Sequence, residues 1–255
     1  MNNNALIGYT GFIGSSLTEQ MQFAHLYNSK NIADIRGKHF DRVVSTGNSS
    51  LRWKVNQEPA LDRENIERFI REIDTITADK FVLVSTIDVF KKPIGVTEES
   101  TPDADETNPY GANRLRLEQF VREKFPKHLI IRLPIVYGLS FKKNILFDAL
   151  NNHEVHKIDT TAKLQFYNVA YLARDIETAL AAGITTLNMA TAPIVVGELF
   201  KEALGKEIAN PPGKGLVYDM QTIHAKTFSK SGQYIYDRSE MMSDIAGFAK
   251  EYLKQ

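Results

Sequence analysis

The chain contains no cysteine. Disulfides, thiolate zinc centres and a thiol nucleophile are therefore excluded, and any catalysis must run through oxygen and nitrogen groups. It has no charge excess either: 31 Lys and Arg stand against 31 Asp and Glu. A nucleic-acid arm or a polybasic membrane patch needs surplus positive charge, so neither kind of partner is expected. Neutrality still leaves room for a local basic pocket that takes a phosphorylated substrate. No apolar run approaches the ~20 residues of a membrane span. The opening Met1-Asn2-Asn3-Asn4 passes straight into a strand without a secretory leader pattern, so a cytoplasmic protein is expected. Repeats and low-complexity tracts are missing, and the lone Trp53 suggests only core packing or a surface position. Hydrophobic residues are plentiful, at 43% of 255, enough for one large domain or one and a half.

Apolar runs alternate with helical spacing through the first two-thirds. Leu6–Gly8, Phe23–Tyr27, Arg42–Thr46, Lys80–Ser85 and Leu129–Leu133 read as strands. Ser15–Gln22, Asp62–Ile76 (apolar at Ile66, Phe69, Ile70 and Ile73) and Tyr110–Glu123 behind Pro109 read as helices. The continuous apolar run of Lys80–Ser85 suits a strand covered on both faces. Later, Ile145–Asn151, Val169–Ala182, Gly197–Leu204 and Met241–Leu253 read as helices, Thr186–Met189 as a strand and Pro211-Pro212-Gly213 as a loop. The alternation predicts an α/β fold: a doubly wound parallel sheet with a small C-terminal lobe over the carboxyl ends of its strands. The expected division is 1–140, with a returning segment near 165–190, and 141–255.

Gly8, Gly11 and Gly14 stand three apart between the first strand and the first helix, in Gly8-Tyr9-Thr10-Gly11-Phe12-Ile13-Gly14. The first glycine permits a sharp exit with φ > 0. The second lets a pyrophosphate approach the main chain, and the third lets helix and strand pack closely. The helix N-terminus then offers its N–H groups and dipole to the phosphates, so a dinucleotide is the expected ligand.

Two further constellations bear on chemistry. Ser85 and Thr86 end a buried strand, where hydroxyls point into the crevice. Tyr110 and Arg114, at i and i+4, share one helix face. A cation beside a phenol favours phenolate, so Tyr110 is the candidate acid/base group, with Ser85 or Thr86 holding the same substrate oxygen. His153 and His156 are three apart with no third ligand in sight, so no metal site is expected.

With these residues in view, the chain resembles the extended short-chain dehydrogenase/reductase family, the nucleotide-sugar epimerases, dehydratases and keto-sugar reductases. The Thr-Gly-Phe-Ile-Gly turn carries the resemblance most specifically, and it covers most of the chain. It implies a Rossmann sheet, NAD or NADP, and a nucleotide-sugar substrate. By the same resemblance, Gly8, Thr10, Gly11, Phe12, Ile13 and Gly14 hold the pyrophosphate, and Asp34-Ile35 contacts adenine. Ser45-Thr46-Gly47 underlies the pyrophosphate and ribose, and Asn65 matches the family's helix asparagine. Thr86 is the active-site hydroxyl with Ser85 beside it, and Tyr110 is the acid-base tyrosine. Pro134 and Val136, in Ile131-Arg132-Leu133-Pro134-Ile135-Val136-Tyr137-Gly138, border the nicotinamide. Phe141-Lys142-Lys143-Asn144 falls where relatives approach a substrate diphosphate. Gln165–Val169 and Leu187–Ala190 also match late family segments. A homodimer through the tyrosine helix and its neighbour is implied as well.

Three positions depart from the family pattern. Arg114 stands for the lysine that binds the nicotinamide ribose and tunes the tyrosine; it keeps the charge but closes a proton relay. Ile87 replaces the acid that follows the hydroxyl in dehydratases, and Asp88, one residue on, is expected to face elsewhere, which counts against dehydration. Tyr27-Asn28-Ser29-Lys30 lacks the acid that holds the adenosine ribose, and Ser29 and Lys30 favour a 2′-phosphate, hence NADP over NAD. The expected function is NAD(P)-dependent oxidation–reduction or epimerisation of a nucleotide-sugar carbonyl or alcohol by hydride transfer. The alternative is a dinucleotide-binding regulatory protein or pseudoenzyme of the same fold.

Overall fold

A computed structural model of the chain describes residues 3–47, 52–208, 210 and 213–254. Pro211 and Pro212, read as a loop, and the side chain of Trp53 lie outside that description. In chain order the elements are β1 (Asn4–Ile7), α1 (Phe12–Gln20), β2 (His25–Tyr27), β3 (His39–Ser45), α2 (Arg52–Gln57), α3 (Pro59–Asp74), β4 (Thr77–Thr86), α4 (Pro109–Lys124), β5 (His128–Leu133), β6 (Ile135–Tyr137), α5 (Ile145–Asn151), β7 (Lys163–Leu164), β8 (Phe166–Asn168), α6 (Leu172–Ala181), β9 (Thr186–Asn188), β10 (Ile194–Val195), α7 (Val196–Leu204) and α8 (Arg238–Tyr252). Among the described residues no helix is long and apolar enough to cross a membrane.

Six strands form one parallel sheet in the order β2-β1-β3-β4-β5-β9. From β1 the chain winds outward to β2 and then returns to pair β3 on the other side of β1. That reversal is a topological switch point, and the crevice beyond the carboxyl ends of β1 and β3 is where such sheets bind ligands. The apolar periodicity explains the layers. Ile66, Ile70 and Ile73 of α3 meet Val43, Phe81 and Leu83 of the sheet, with Leu117, Val121 and Phe125 from the α4 side in the same buried cluster. Phe81 and Phe125 stack with ring centroids 4.2 Å apart. Each aliphatic side chain fully removed from water in this way stabilises by about 1.5–3 kcal/mol.

The chain divides into two compact units. The first comprises 1–91, 100–132 and 172–187; the second comprises 92–99, 133–171 and 188–255. The first unit runs to residue 132, near the end of β5, and takes in α6 and most of β9 as a returning segment. The short stretch 92–99 leaves the first unit because Ile94 bridges Asp219 and the Gly95 N–H donates to the Asp219 carbonyl. Within the second unit β6 pairs β8 in parallel and β7 pairs β10 antiparallel. There the Asp244 carboxylate of α8 accepts from the hydroxyls of Tyr137 and Tyr171 and from Asn168 Nδ2, tying the helix to the β6–β8 pair.

Candidate active site

The glycine turn is built by mutual contact. Gly8 has φ +90°, and a Cβ on it would sit 2.7 Å from the Gly47 backbone. A Cβ on Gly14 would lie 2.1 Å from the Gly8 carbonyl oxygen, so the first turn of α1 rests directly on the end of β1. The helix begins at Phe12, earlier than its apolar pattern suggests, because the turn hands straight over to it. Gly11 is the N-cap and supplies no side-chain partner to the first N–H groups. Thr10 and Gly11 are exposed and Phe12 and Ile13 half-buried, so that end of α1 is open.

The end of β3 closes the floor of the turn. The Thr46 N–H donates to the Ile7 carbonyl at 2.8 Å, and its hydroxyl reaches the Ile7 and Gly8 carbonyls at 3.1 and 3.3 Å. Ser45 is fully buried, and its Oγ has no hydrogen-bond partner. Beyond β2, Ser29 and Lys30 are exposed, while Asn28 uses its Oδ1 to accept the Lys30 N–H within the turn. Ile35 is a fully buried member of the core cluster, leaving only Asp34 of that pair on the surface. Asn65 lies on the solvent side of α3, where its Oδ1 accepts from Arg68 at 2.7 Å.

Beyond β4 the backbone enters a 3-10 turn, Ile87–Val89. Thr86 caps it: its Oγ1 accepts the Asp88 N–H at 3.1 Å. The turn also brings the Asp88 carboxylate back to 3.4 Å from the Thr86 hydroxyl. The expectation that Asp88 faces elsewhere is thus corrected, because strand alternation does not extend past Thr86. Ile87 is a core residue. Helix α4 starts against this turn, with Asn108 as N-cap accepting from the Gly111 N–H at 3.1 Å and Pro109 in the first turn. A Cβ on Gly111 would fall 1.9 Å from the Asp88 carbonyl oxygen, so only glycine lets α4 approach this closely. Tyr110 is thereby carried beside the Thr86–Asp88 turn, its own N–H held by Asn56 Oδ1 at 3.1 Å.

Two buried ion networks flank this cluster. Arg114 donates from Nη1 and Nη2 to Asp62 Oδ2 and Oδ1 at 3.0 and 3.2 Å, and Asn113 Nδ2 adds a bond to Asp62 Oδ2 at 2.8 Å. The Arg114 and Asp62 side chains are only 3% and 6% exposed. The guanidinium also lies over the Tyr110 ring, 4.6 Å from its centroid. Of the two duties expected of Arg114, a charge beside Tyr110 is met. The same guanidinium holds Asp62 inside the protein through its two terminal nitrogens. Burial pushes the Tyr110 phenol above its ordinary value; Arg114 pulls the other way, and Asp88 and Asp62 push with burial. The cation beside the phenol favours phenolate as expected, and burial outweighs it.

The second network holds Ser85. Its hydroxyl donates to Glu118 Oε1 at 2.6 Å, and Glu118 also accepts from Arg132 and Arg122. Ser85 thus serves the interior, and Thr86 is the hydroxyl left at the strand end. The Arg132 guanidinium lies 5.0 Å from the Phe90 ring centroid. Pro134 and Val136 belong to the second unit, at the start and middle of the β6 segment. There Asn144 caps α5 through Oδ1 and donates to the Val136 carbonyl at 2.8 Å. Sequence reading missed Asp62, Asn56 and Glu118. The available signal was an acid on an apolar stripe: Asp62 is one turn before Ile66, and Glu118 lies between Leu117 and Val121.

No protein-family model matches the sequence, and no curated protein matches it. Solved structures do. The UDP-glucose 4-epimerase of Thermotoga maritima, with UDP-glucose, superposes at a TM-score of 0.73 and 18% identity, over 100% of this chain and 99% of its own. The dTDP-4-dehydrorhamnose reductase of Bacillus anthracis, in complex with NADP, gives 0.75 and 17%, over 98% and 100%. This chain has the fold of those enzymes. The UDP-N-acetylglucosamine 4-epimerase of Methanobrevibacter ruminantium, with UDP-N-acetylmuramic acid, matches it end to end as well, at 0.75 and 13% identity over 100% and 99%. The doubly wound α/β architecture read from the alternation of strands and helices is the one observed.

The glycine turn fits a dinucleotide pyrophosphate. Gly8 and Gly14, lacking a Cβ, let the turn close against Gly47 and the start of α1, a Cβ on Gly11 would meet nothing nearer than 3.3 Å, and the helix end there is open. Arg114, the residue expected at the nicotinamide ribose, is buried against Asp62.

Proposed function

We propose that the chain is an NAD(P)-dependent oxidoreductase or epimerase, acting on the carbonyl or alcohol of a nucleotide-linked sugar by hydride transfer. The observation that carries this reading is one unit that holds both the Gly8–Gly14 cradle at the sheet's switch point and the Thr86–Asp88–Tyr110 cluster two strands along, at the carboxyl end of β4. The bound dinucleotide would supply a hydride donor or acceptor. Thr86 orients the substrate oxygen by hydrogen bonding. Tyr110 gives or takes the proton at that oxygen; burial keeps the phenol protonated, the form that donates to a carbonyl being reduced. Exposed Ser29 and Lys30 favour a 2′-phosphate, hence NADP over NAD. The neutral, cysteine-free composition agrees with a cytoplasmic enzyme, and pairing of two copies through α3 and α4 would give a homodimer.

A second reading is a dinucleotide-binding regulatory protein, and the burial of Arg114 against Asp62 favours it. The two readings part on a single set of measurements. Nicotinamide fluorescence titration should show NADPH or NADH binding to the wild type. Gly11→Asp should lower the affinity at least tenfold, because a carboxylate then meets the phosphates. A Cβ there would come no closer than 3.3 Å to the Gly8 carbonyl oxygen, so the fold survives the change. Turnover of a keto-sugar nucleotide panel that falls about 10²–10⁴-fold in Tyr110→Phe supports the enzyme. Binding without turnover leaves the regulatory reading, and no binding of either cofactor sinks both.

A further inference from the structure

We infer that Asp62 is a positioning residue for Tyr110: by clamping Arg114 with both carboxylate oxygens, it fixes the guanidinium against the tyrosine ring and makes residue 114 an anchor of the site. The inference rests on the reading of Tyr110 as the acid/base group. Asp62 sits on the apolar stripe of α3, one turn before Ile66, and is 5% exposed. Both of its oxygens are engaged by Arg114, and Asn113, the residue before Arg114, holds Oδ2 as well. Only a planar fork of donors can meet one carboxylate twice and still lie on an aromatic face, so the arginine and the aspartate explain each other. A lysine ammonium at position 114 would lack this geometry.

The charged groups that face Tyr110 come from three elements: Arg114 on α4, Asp62 on α3 and Asp88 on the 3-10 turn. Arg114 favours the phenolate, while Asp88 and Asp62 oppose it. Asp62 therefore acts twice, holding the cation in place and compensating its charge. Neutralising Asp62 leaves the Arg114 charge uncompensated, and the phenol then loses its proton at lower pH.

The test is an alkaline titration of the full chain labelled with 13Cζ-tyrosine, in which the Tyr110 resonance is identified by its loss in Tyr110→Phe. Asp62→Asn is expected to ionise Tyr110 about one pH unit below wild type, a roughly tenfold weaker hold on the proton. Asp62→Glu keeps the charge and should return the titration toward wild type. A folded Asp62→Asn with an unmoved Tyr110 overturns the inference. If Asp62→Asn does not fold, the apolar pair Asp62→Leu with Arg114→Met takes its place. Tyr110 should then titrate above wild type, since the larger cationic pull is gone, and an unmoved resonance again overturns it. The cofactor titration decides the enzyme reading separately. Failure to bind NADPH or NADH, together with the expected shift, removes that reading alone; binding with no shift removes this inference alone.

Discussion

Glu118 shows how much of this site is held by single buried groups. None of its surface is open, and its two oxygens serve Ser85, Arg122 and Arg132. Removing one partner of such a pair leaves the other buried without compensation. Glu118→Ala should therefore destabilise the chain by about 3–5 kcal/mol in urea denaturation, and Glu118→Leu with Arg132→Met should recover most of the loss. Glu72 provides an acid-side counterpart. Arg36 grips it with Nε and Nη2, both at 2.6 Å, and that hydrogen-bonded pairing holds its carboxyl below the ordinary 4.5. A carboxyl depressed in the folded state binds fewer protons there than in the unfolded chain. Its stabilisation is thus full above pH 4.5 and fades as the pH falls from there through the folded value. Urea midpoints should fall more steeply below pH 4.5 in wild type than in Glu72→Gln. At this scale the sequence was legible where function is local. Gly8, Gly11 and Gly14 act on neighbours within a few residues, so their spacing alone conveys the turn. Asp62, Glu118 and Asp88 act through partners roughly 15–50 positions away or through an unforeseen 3-10 turn. The hydroxyls of Ser85 and Thr86 look alike in sequence until tertiary packing sends one inward.

Helix α4 is the element on which the cluster depends. Its first turn is fixed by the Asn108 cap, by Pro109 and by the contact of Gly111 with the Asp88 carbonyl, to which Thr107 Oγ1 also donates at 2.8 Å. Gly111→Ala must push the start of the helix away from the 3-10 turn. We expect it to bind NADPH or NADH like wild type, since the cradle is untouched, but to lose most turnover, with thermal unfolding shifted down by several degrees. Strands and helices of the sheet were readable because their apolar period is set by two covered faces. Their ends were less so, since backbone partners decide them: β4 begins at Thr77, whose N–H donates to the Lys38 carbonyl at 3.1 Å, although Thr77, Asp79 and Lys80 are exposed. Ile145–Asn151 is found as read, because Asn144 and the left-handed Asn152 mark both of its ends in sequence.

Across the whole molecule, the chain passes between its two units five times, at 91/92, 99/100, 132/133, 171/172 and 187/188. The return through 172–187 lies within the segment near 165–190 expected from the sequence, whereas the crossing of 92–99 depends on its pairing with residues far along the chain and had no local signal. A fragment ending at residue 140 lacks α6, which packs on α1 and whose Ala173 N–H donates to Gln20 Oε1, and it lacks β9 at the sheet edge. It should give collapsed, poorly dispersed NMR spectra, whereas the full chain should unfold in one cooperative transition.

The late arrival of β9 also matters while the protein is being made. β5 (His128–Leu133) pairs β4 on one edge, and the partner for its other edge is synthesised roughly fifty residues later, a delay of about 3–10 s at ordinary elongation rates. During that interval an apolar Leu-Ile-Ile edge is open to any passing strand. That edge is covered only once Thr186–Asn188 has been made and has paired with it.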